Sequence, residues 1–206
     1  MSPEHDPSTE LASLLSRAAN FSRIVVLGLQ RSGTHVAAEI LAHERSLPLY
    51  SERDFNYTSC QPGTDRIQVP IEQFVNDHPS FVLQAPALLH AANAFSRDDL
   101  LVVFVARAAD EVRASRVRSQ WPGEASERLK YERAEYNELY RPGCDLVDMQ
   151  LAVWEKVTKP MLKHVHSVPF HAFSAHEFWL SERDRAVLPI GKTRPDGNWQ
   201  EYKTNV

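Results

Sequence analysis

Two runs of branched apolar residues dominate the chain. Ile24-Val25-Val26-Leu27 and Leu100-Leu101-Val102-Val103-Phe104-Val105 carry no polar residue between them. Unbroken runs of this kind belong to strands covered on both faces, as in a parallel sheet. Each run leads into helical spacing. Val36, Ala37, Ile40 and Leu41 follow the first, and a helix from Ala108 to about Ser119 follows the second. Two strand-then-helix units predict an α/β layer fold with a parallel sheet flanked by helices, three layers in one domain over residues 1–206.

The weaker patterns fill in the order. Leu11, Leu14, Leu15 and Ala18 share one helix face, with Ser8 or Thr9 as its cap. Leu47–Tyr50 and Phe81–Gln84 read as short strands, Ile71–Val75 as a short helix and Ala87–Phe95 as helical. Glu124–Tyr140 forms a charged helix stopped by Pro142-Gly143. Asp145 caps a longer helix through Val165, bent near Pro160. Val168–Phe173 is the last strand. Residues 1–7 read as a disordered start, Ser51–Gly63 as an irregular wall of a site, and 189–206 as a loop-like tail.

The first strand ends in Gly28-Leu29-Gln30-Arg31-Ser32-Gly33-Thr34-His35. Strand, glycine loop and helix in that order are the context for a phosphate loop. Free N–H groups at a helix start, with the positive end of its dipole, attract an anion. A nucleotide-triphosphate loop carries Lys at position 34 and Ser or Thr at 35. Thr34 and His35 stand there instead, and the cation has moved back to Arg31. The loop residues Gln30, Arg31, Ser32, Gly33, Thr34 and His35 are therefore expected to hold a phosphate, but not a triphosphate with its metal. A plain tight turn is the other reading of the loop alone.

Arg31-Ser32-Gly33-Thr34 after a strand-ending Gly resembles the 5′-phosphosulfate loop of sulfotransferases that use 3′-phosphoadenosine 5′-phosphosulfate (PAPS). Phe104–Ser115 resembles the same family's second signature, an Arg at a strand end and a Ser eight residues on, here Arg107 and Ser115. The resemblance implies that this pair grips the 3′-phosphate. An arginine fork suits phosphate oxygens. Read alone, Arg107, Arg113, Arg116 and Arg118 are equally a solvated face paired with Asp110 and Glu111. A third match lies in the tail, where Lys192–Trp199 resembles the family's closing segment and implies Arg194, with Lys192 in reserve. One departure is clear. Gln84 stands where the family has a Lys, and Ala85-Pro86 supplies no catalytic His.

Sulfuryl transfer needs a base for the acceptor and a cation for the leaving phosphate. Arg31 fits the second role. Two carboxylates compete for the first: Glu39, i+4 from His35 on the helix, and Glu52, past the Leu47–Tyr50 strand. Trp121, Tyr131, Tyr136 and Tyr140 either line the acceptor pocket or pack their helix on the sheet. Nine histidines, with His164, His166, His171 and His176 close in sequence, offer a metal cluster only without ligand spacing, and no metal is expected.

Composition narrows the class. A net charge of −4 argues against a general nucleic-acid binder. Two cysteines make no disulfide framework, which points to a reducing compartment. With no long apolar run, the expectation is a cytoplasmic enzyme with no membrane or nucleic-acid partner. The expected activity is transfer of a sulfuryl group from PAPS to a hydroxyl or amine of a small-molecule or carbohydrate acceptor, leaving 3′-phosphoadenosine 5′-phosphate (PAP). Nucleotide kinase-like phosphotransfer and a non-catalytic nucleotide binder are the alternatives.

Overall fold

The structure, a computed structural model, describes residues 6–51, 68–121, 124–131, 139 and 144–179. Its centre is β1 (Arg23–Gly28), whose Ile24, Val25, Val26 and Leu27 are all fully buried. Each such side chain removed from water stabilises the fold by about 1.5–3 kcal/mol. β1 pairs in parallel with β3 (Phe81–Gln84) on one side and with β4 (Leu100–Ala106) on the other. β2 (Leu49–Ser51) extends the sheet beyond β3, and β5 (Val165–Pro169) beyond β4. The order is β2-β3-β1-β4-β5, all parallel.

Alternate residues of the central strands feed two cores, which makes three layers. Ile24, Val26, Leu101 and Val103 pack under α1 (Pro7–Ala18) and α2 (Thr34–Arg45), through Leu11, Leu14, Ala37, Ala38 and Leu41. Val25, Leu27, Leu83, Val102 and Phe104 face the opposite layer. That layer is α3 (Gln68–Asp77), a 3₁₀ helix over Pro86–Phe95 and α6 (Leu146–Val153). The expected architecture is thus observed. A further small core joins Tyr131 of α5 (Glu124–Tyr131) to Leu146, Met149 and Val153 of α6. α4 (Ala109–Arg118) follows β4. No helix among the described residues is long and apolar enough to cross a membrane.

Several boundaries differ from expectation, each for a local reason. The cap of α1 is Asp6, which accepts from the Ser8 N–H at 3.2 Å, with Pro7 in the first turn. Pro7 therefore belongs to the helix, and Ser8 and Thr9 lie inside it. The segment after Ala85 is helical but of the tighter 3₁₀ kind. Asp145 does cap α6, accepting from the Val147 N–H at 2.9 Å. That helix does not run to Val165, however. It widens into a π turn at Trp154–Thr158, tightens at Lys159–Met161 and turns extended at Leu162. Pro160 cannot donate to the helical ladder, and its ring opposes the carbonyl one turn back. The last strand is Val165–Pro169, not Val168–Phe173, because β5 is an edge strand that tolerates His166 and Ser167 and so hides its start. Phe170–Ala175 is a 3₁₀ turn. α5 is described only to Tyr131, and the rest of the expected Glu124–Tyr140 helix lies outside the described residues, Leu139 excepted, which stands in a turn.

Trp154 ties α6 to the sheet. Its ring is fully buried and stacks on Phe104, centroids 4.1 Å apart and 9° from parallel. Trp154→Ala is expected to cost about 3–5 kcal/mol of unfolding free energy in a urea titration. A loss below about 1 kcal/mol would contradict this packing role.

Candidate functional site

The site grows from the turn between β1 and α2. Gly28 ends the strand opposite Val105 of β4. A Cβ on Gly28 would fall 2.6 Å from Ser32 Oγ and 3.0 Å from the Val105 carbonyl oxygen, so only glycine lets the loop fold back here. Gly33 has φ +98° and caps α2 without a side-chain hydrogen bond. Its missing Cβ leaves room for the ring of Phe170, whose Cε2 lies 2.1 Å from the Cβ position. Between them Arg31, a non-glycine residue, adopts φ +75°. Left-handed positions of this kind cost about 1–3 kcal/mol and cluster at ligand clamps. The first N–H groups of α2 then have no carbonyl one turn back, as at any helix start.

Within the loop Ser32 is fully buried, and its Oγ has no hydrogen-bond partner among the described residues. Its N–H closes a turn on the Leu29 carbonyl at 2.9 Å. Thr34 is buried and accepts at Oγ1 from Gln84 Nε2 of β3, 3.0 Å away. Gln84 thus positions a loop hydroxyl. His35 and Arg31 are exposed, and Gln30 is half-buried.

Two arginines brace the loop from outside. Arg107, at the end of β4, donates from Nη1 to the Arg31 carbonyl at 3.2 Å and from Nε to Glu111 at 2.9 Å. Its guanidinium lies 4.5 Å from the centre of the Phe170 ring. Arg116 of α4 is buried and donates from Nε to the Gln30 carbonyl at 3.3 Å. Ser115 is buried beside it on α4. The solvated-face reading of this arginine run therefore holds for Arg113, which pairs with Asp110, Asp145 and Asp148, and fails for Arg116.

Arg116 opens onto a polar cluster that sequence reasoning missed. Its Nη2 donates to Gln150 Oε1 at 2.7 Å, and its guanidinium sits 4.5 Å from the Trp121 ring centre. Gln150 Nε2 reaches Gln30 Oε1 at 3.3 Å and Glu127 Oε2 at 3.5 Å. Glu127, buried on α5, pairs with Lys130. Burial pushes its carboxyl above the usual range, and the Lys130 ammonium works against that rise. Lys130 also donates to the Ala87 carbonyl at 3.4 Å, just past β3. The signal was present. Glu127 and Lys130 flank the apolar face that Tyr131 marks, and Gln150 interrupts the apolar run of α6.

The remaining candidates separate. Glu39 lies on the buried face of α2, whereas His35, one turn earlier, is exposed. Glu52, Arg194, Lys192, Tyr136 and Tyr140 lie outside the described residues. Trp121 stacks on Arg116, and Tyr131 packs in the small core. Among the described residues no group of three or more His, Cys, Asp or Glu could hold a metal ion. His164 meets Phe21 and His176 meets Glu44.

No family model matches the chain, and no curated protein matches it. Among solved structures, the chain is similar to a shikimate kinase from Acinetobacter baumannii in complex with shikimate, at 9% identity and a TM-score of 0.47. That likeness covers 74% of this chain and 86% of the other. It is also similar to a gluconokinase from Sinorhizobium meliloti 1021, at 16% identity and a TM-score of 0.40, over 75% of this chain and 91% of that one. At that level of likeness neither neighbour says what this chain binds or moves.

Ser32 separates binding from folding. An unsatisfied buried hydroxyl contributes nothing to the fold, so Ser32→Ala should leave the urea midpoint unchanged or raised. Its loss should weaken phosphate-ester binding by about 1.5–3 kcal/mol, the value of a hydrogen bond to a charged group. Calorimetry showing unchanged affinity would remove Ser32 from the site.

Proposed function

We propose that the chain is a nucleotide-dependent group transferase, with the donor's phosphate in the 28–35 loop and PAPS as the donor. The observation that carries this reading is the loop itself. Its two glycines make room for Ser32 Oγ and Phe170, a buried hydroxyl waits in it, and Arg107 and Arg116 sit on its consecutive carbonyls. Such a cradle suits an anion whose charge is neutralised by hydrogen bonds and fixed cations.

The choice of donor rests on residues. Thr34 replaces the lysine of a triphosphate loop, and its hydroxyl partner is the neutral amide of Gln84. Arg107 and Ser115 keep the spacing of a 3′-phosphate grip, with Arg107 against the loop. The reaction is then in-line displacement of the sulfuryl group by a hydroxyl or amine of a small-molecule or carbohydrate acceptor, the electron pair staying on PAP. Arg31, Gln30, Ser32, Gly33, Thr34 and His35 surround the donor's phosphosulfate, and Arg194 would close over it. The second reading is kinase-like phosphotransfer from ATP with Mg²⁺, which the Gly28-x4-Gly33 spacing favours. Ala85-Pro86, with no histidine, favours a nucleotide binder without turnover.

Titration decides between them. PAP is expected to raise the melting temperature without added metal, and Arg107→Ala to weaken its binding by about 2–4 kcal/mol, with Ser115→Ala costing about 1 kcal/mol. Stabilisation by ATP with Mg²⁺ and none by PAP would transfer the assignment to phosphotransfer. A protein that binds neither would end both readings.

A further inference from the structure

The polar cluster beside the loop reaches beyond the groups that brace the loop, and its composition is costly. Arg116, Glu127 and Gln150 are buried, and Lys130 is nearly so, its side chain 13% exposed. Taking such charges out of water costs several kcal/mol per ion, and apolar residues of the same size would often serve the fold as well. What the arrangement does provide is a carboxylate at a fixed place. Glu127 is joined to Gln30 of the loop through Gln150. Its partner Lys130 leans on Ala87, three residues past Gln84, the residue that holds Thr34. The pair therefore spans the ends of β1 and β3. That is the carboxyl edge of a parallel sheet, where ligands of α/β proteins bind.

Resting on the group-transfer reading above, we propose that Glu127 is the general base for the acceptor. A carboxylate offers about four lone-pair sites, and among the described residues Lys130 and the long contact from Gln150 leave capacity for one more donor. The acceptor O–H gives its proton to a Glu127 oxygen. The acceptor oxygen forms a bond to the sulfur (or phosphorus) of the transferred group. The bond from that atom to the donor's bridging oxygen breaks, and its electron pair stays on the nucleotide phosphate. Glu127 later releases the proton to water. Burial that raises the carboxyl's proton affinity suits the role. Lys130 and Arg116 oppose that rise. Glu39, by contrast, lies on the buried face of α2.

The test uses the full chain with PAPS, and in parallel ATP with Mg²⁺, against water and a panel of sugars, phenols and amino alcohols. Glu127→Gln is expected to lower turnover by about 10²–10⁴-fold, the usual worth of a positioned base. PAP or ATP affinity should stay within threefold, or about 0.7 kcal/mol. Glu127→Asp should recover part of the lost turnover. If Glu127→Gln fails to fold, Glu127→Asp carries the test, with turnover down about tenfold at unchanged nucleotide affinity. A merely structural brace would act the other way, weakening nucleotide binding and lowering the melting temperature at unchanged kcat, and that result overturns the inference. So does a loss of turnover confined to Glu39→Gln. A wild type that binds nucleotide yet transfers to nothing, water included, overturns it while leaving nucleotide binding standing. Absence of any nucleotide binding fails the underlying reading instead.

Discussion

One peptide unit governs the loop. The Arg31–Ser32 peptide is pinned at both ends: its N–H goes to the Leu29 carbonyl and its C=O receives Arg107. The preceding carbonyl, that of Gln30, receives Arg116. With both carbonyls tied outward, Arg31 is held at φ +75°, a conformation it would otherwise leave. The strain is about 1–3 kcal/mol, and one hydrogen bond from a charged donor, worth about 1.5–3 kcal/mol, is enough to offset it. Everything proposed for the site depends on that balance, because a relaxed Arg31 would carry Ser32 and Thr34 out of their places in the loop.

The sheet order supplies the bracing groups. In a parallel sheet all carboxyl ends lie on one edge, and β1 has β3 and β4 as its neighbours. The residues that leave those two ends, Gln84 and Arg107, are therefore brought to opposite sides of the loop without any long side chain having to search for it. α4 then returns Arg116 from the turn after β4, and Phe170, leaving β5, fills the space under Arg107 and against Gly33. Phe170 lies well beyond the sequence reach of the loop, which is why no local pattern announced it.

What was legible in the chain follows from this geometry. Ile24–Leu27 and Leu100–Val105 declared themselves because both faces of a central strand are apolar. β5 did not, since an edge strand may carry His166 and Ser167, and its true start at Val165 was absorbed into the preceding helix. The Gly28–Thr34 spacing exposed the loop because backbone crowding admits few residues there. Gln84 was noticed only as a departure; its bond to Thr34 is a contact between residues 50 apart, set by strand pairing. The Glu127–Lys130–Gln150–Gln30–Arg116 cluster was the least visible. It draws on α4, α5, α6 and the loop, and no single stretch of sequence brings its members together. Arg116 shows the difficulty best, since its neighbour Arg113 has the same composition around it and is solvated.

Thr34 is one member of a matched set. Thr34 is 3% exposed, its Cγ2 lies 3.0 Å from the Cβ position of Gly28, and its hydroxyl is taken by Gln84. A lysine there would bury an ammonium beside a neutral amide. Unpaired buried charge of that kind is expelled or neutralised rather than tolerated. A triphosphate loop keeps its cation inside, where it moves with the ligand. Here Arg107 and Arg116 lie outside the loop, fixed by Phe170, Glu111, Gln150 and Trp121 before any ligand arrives. Fixed charges lose little freedom on binding and reward one anion geometry over others. Thr34, Gln84, Arg107 and Arg116 make sense only together.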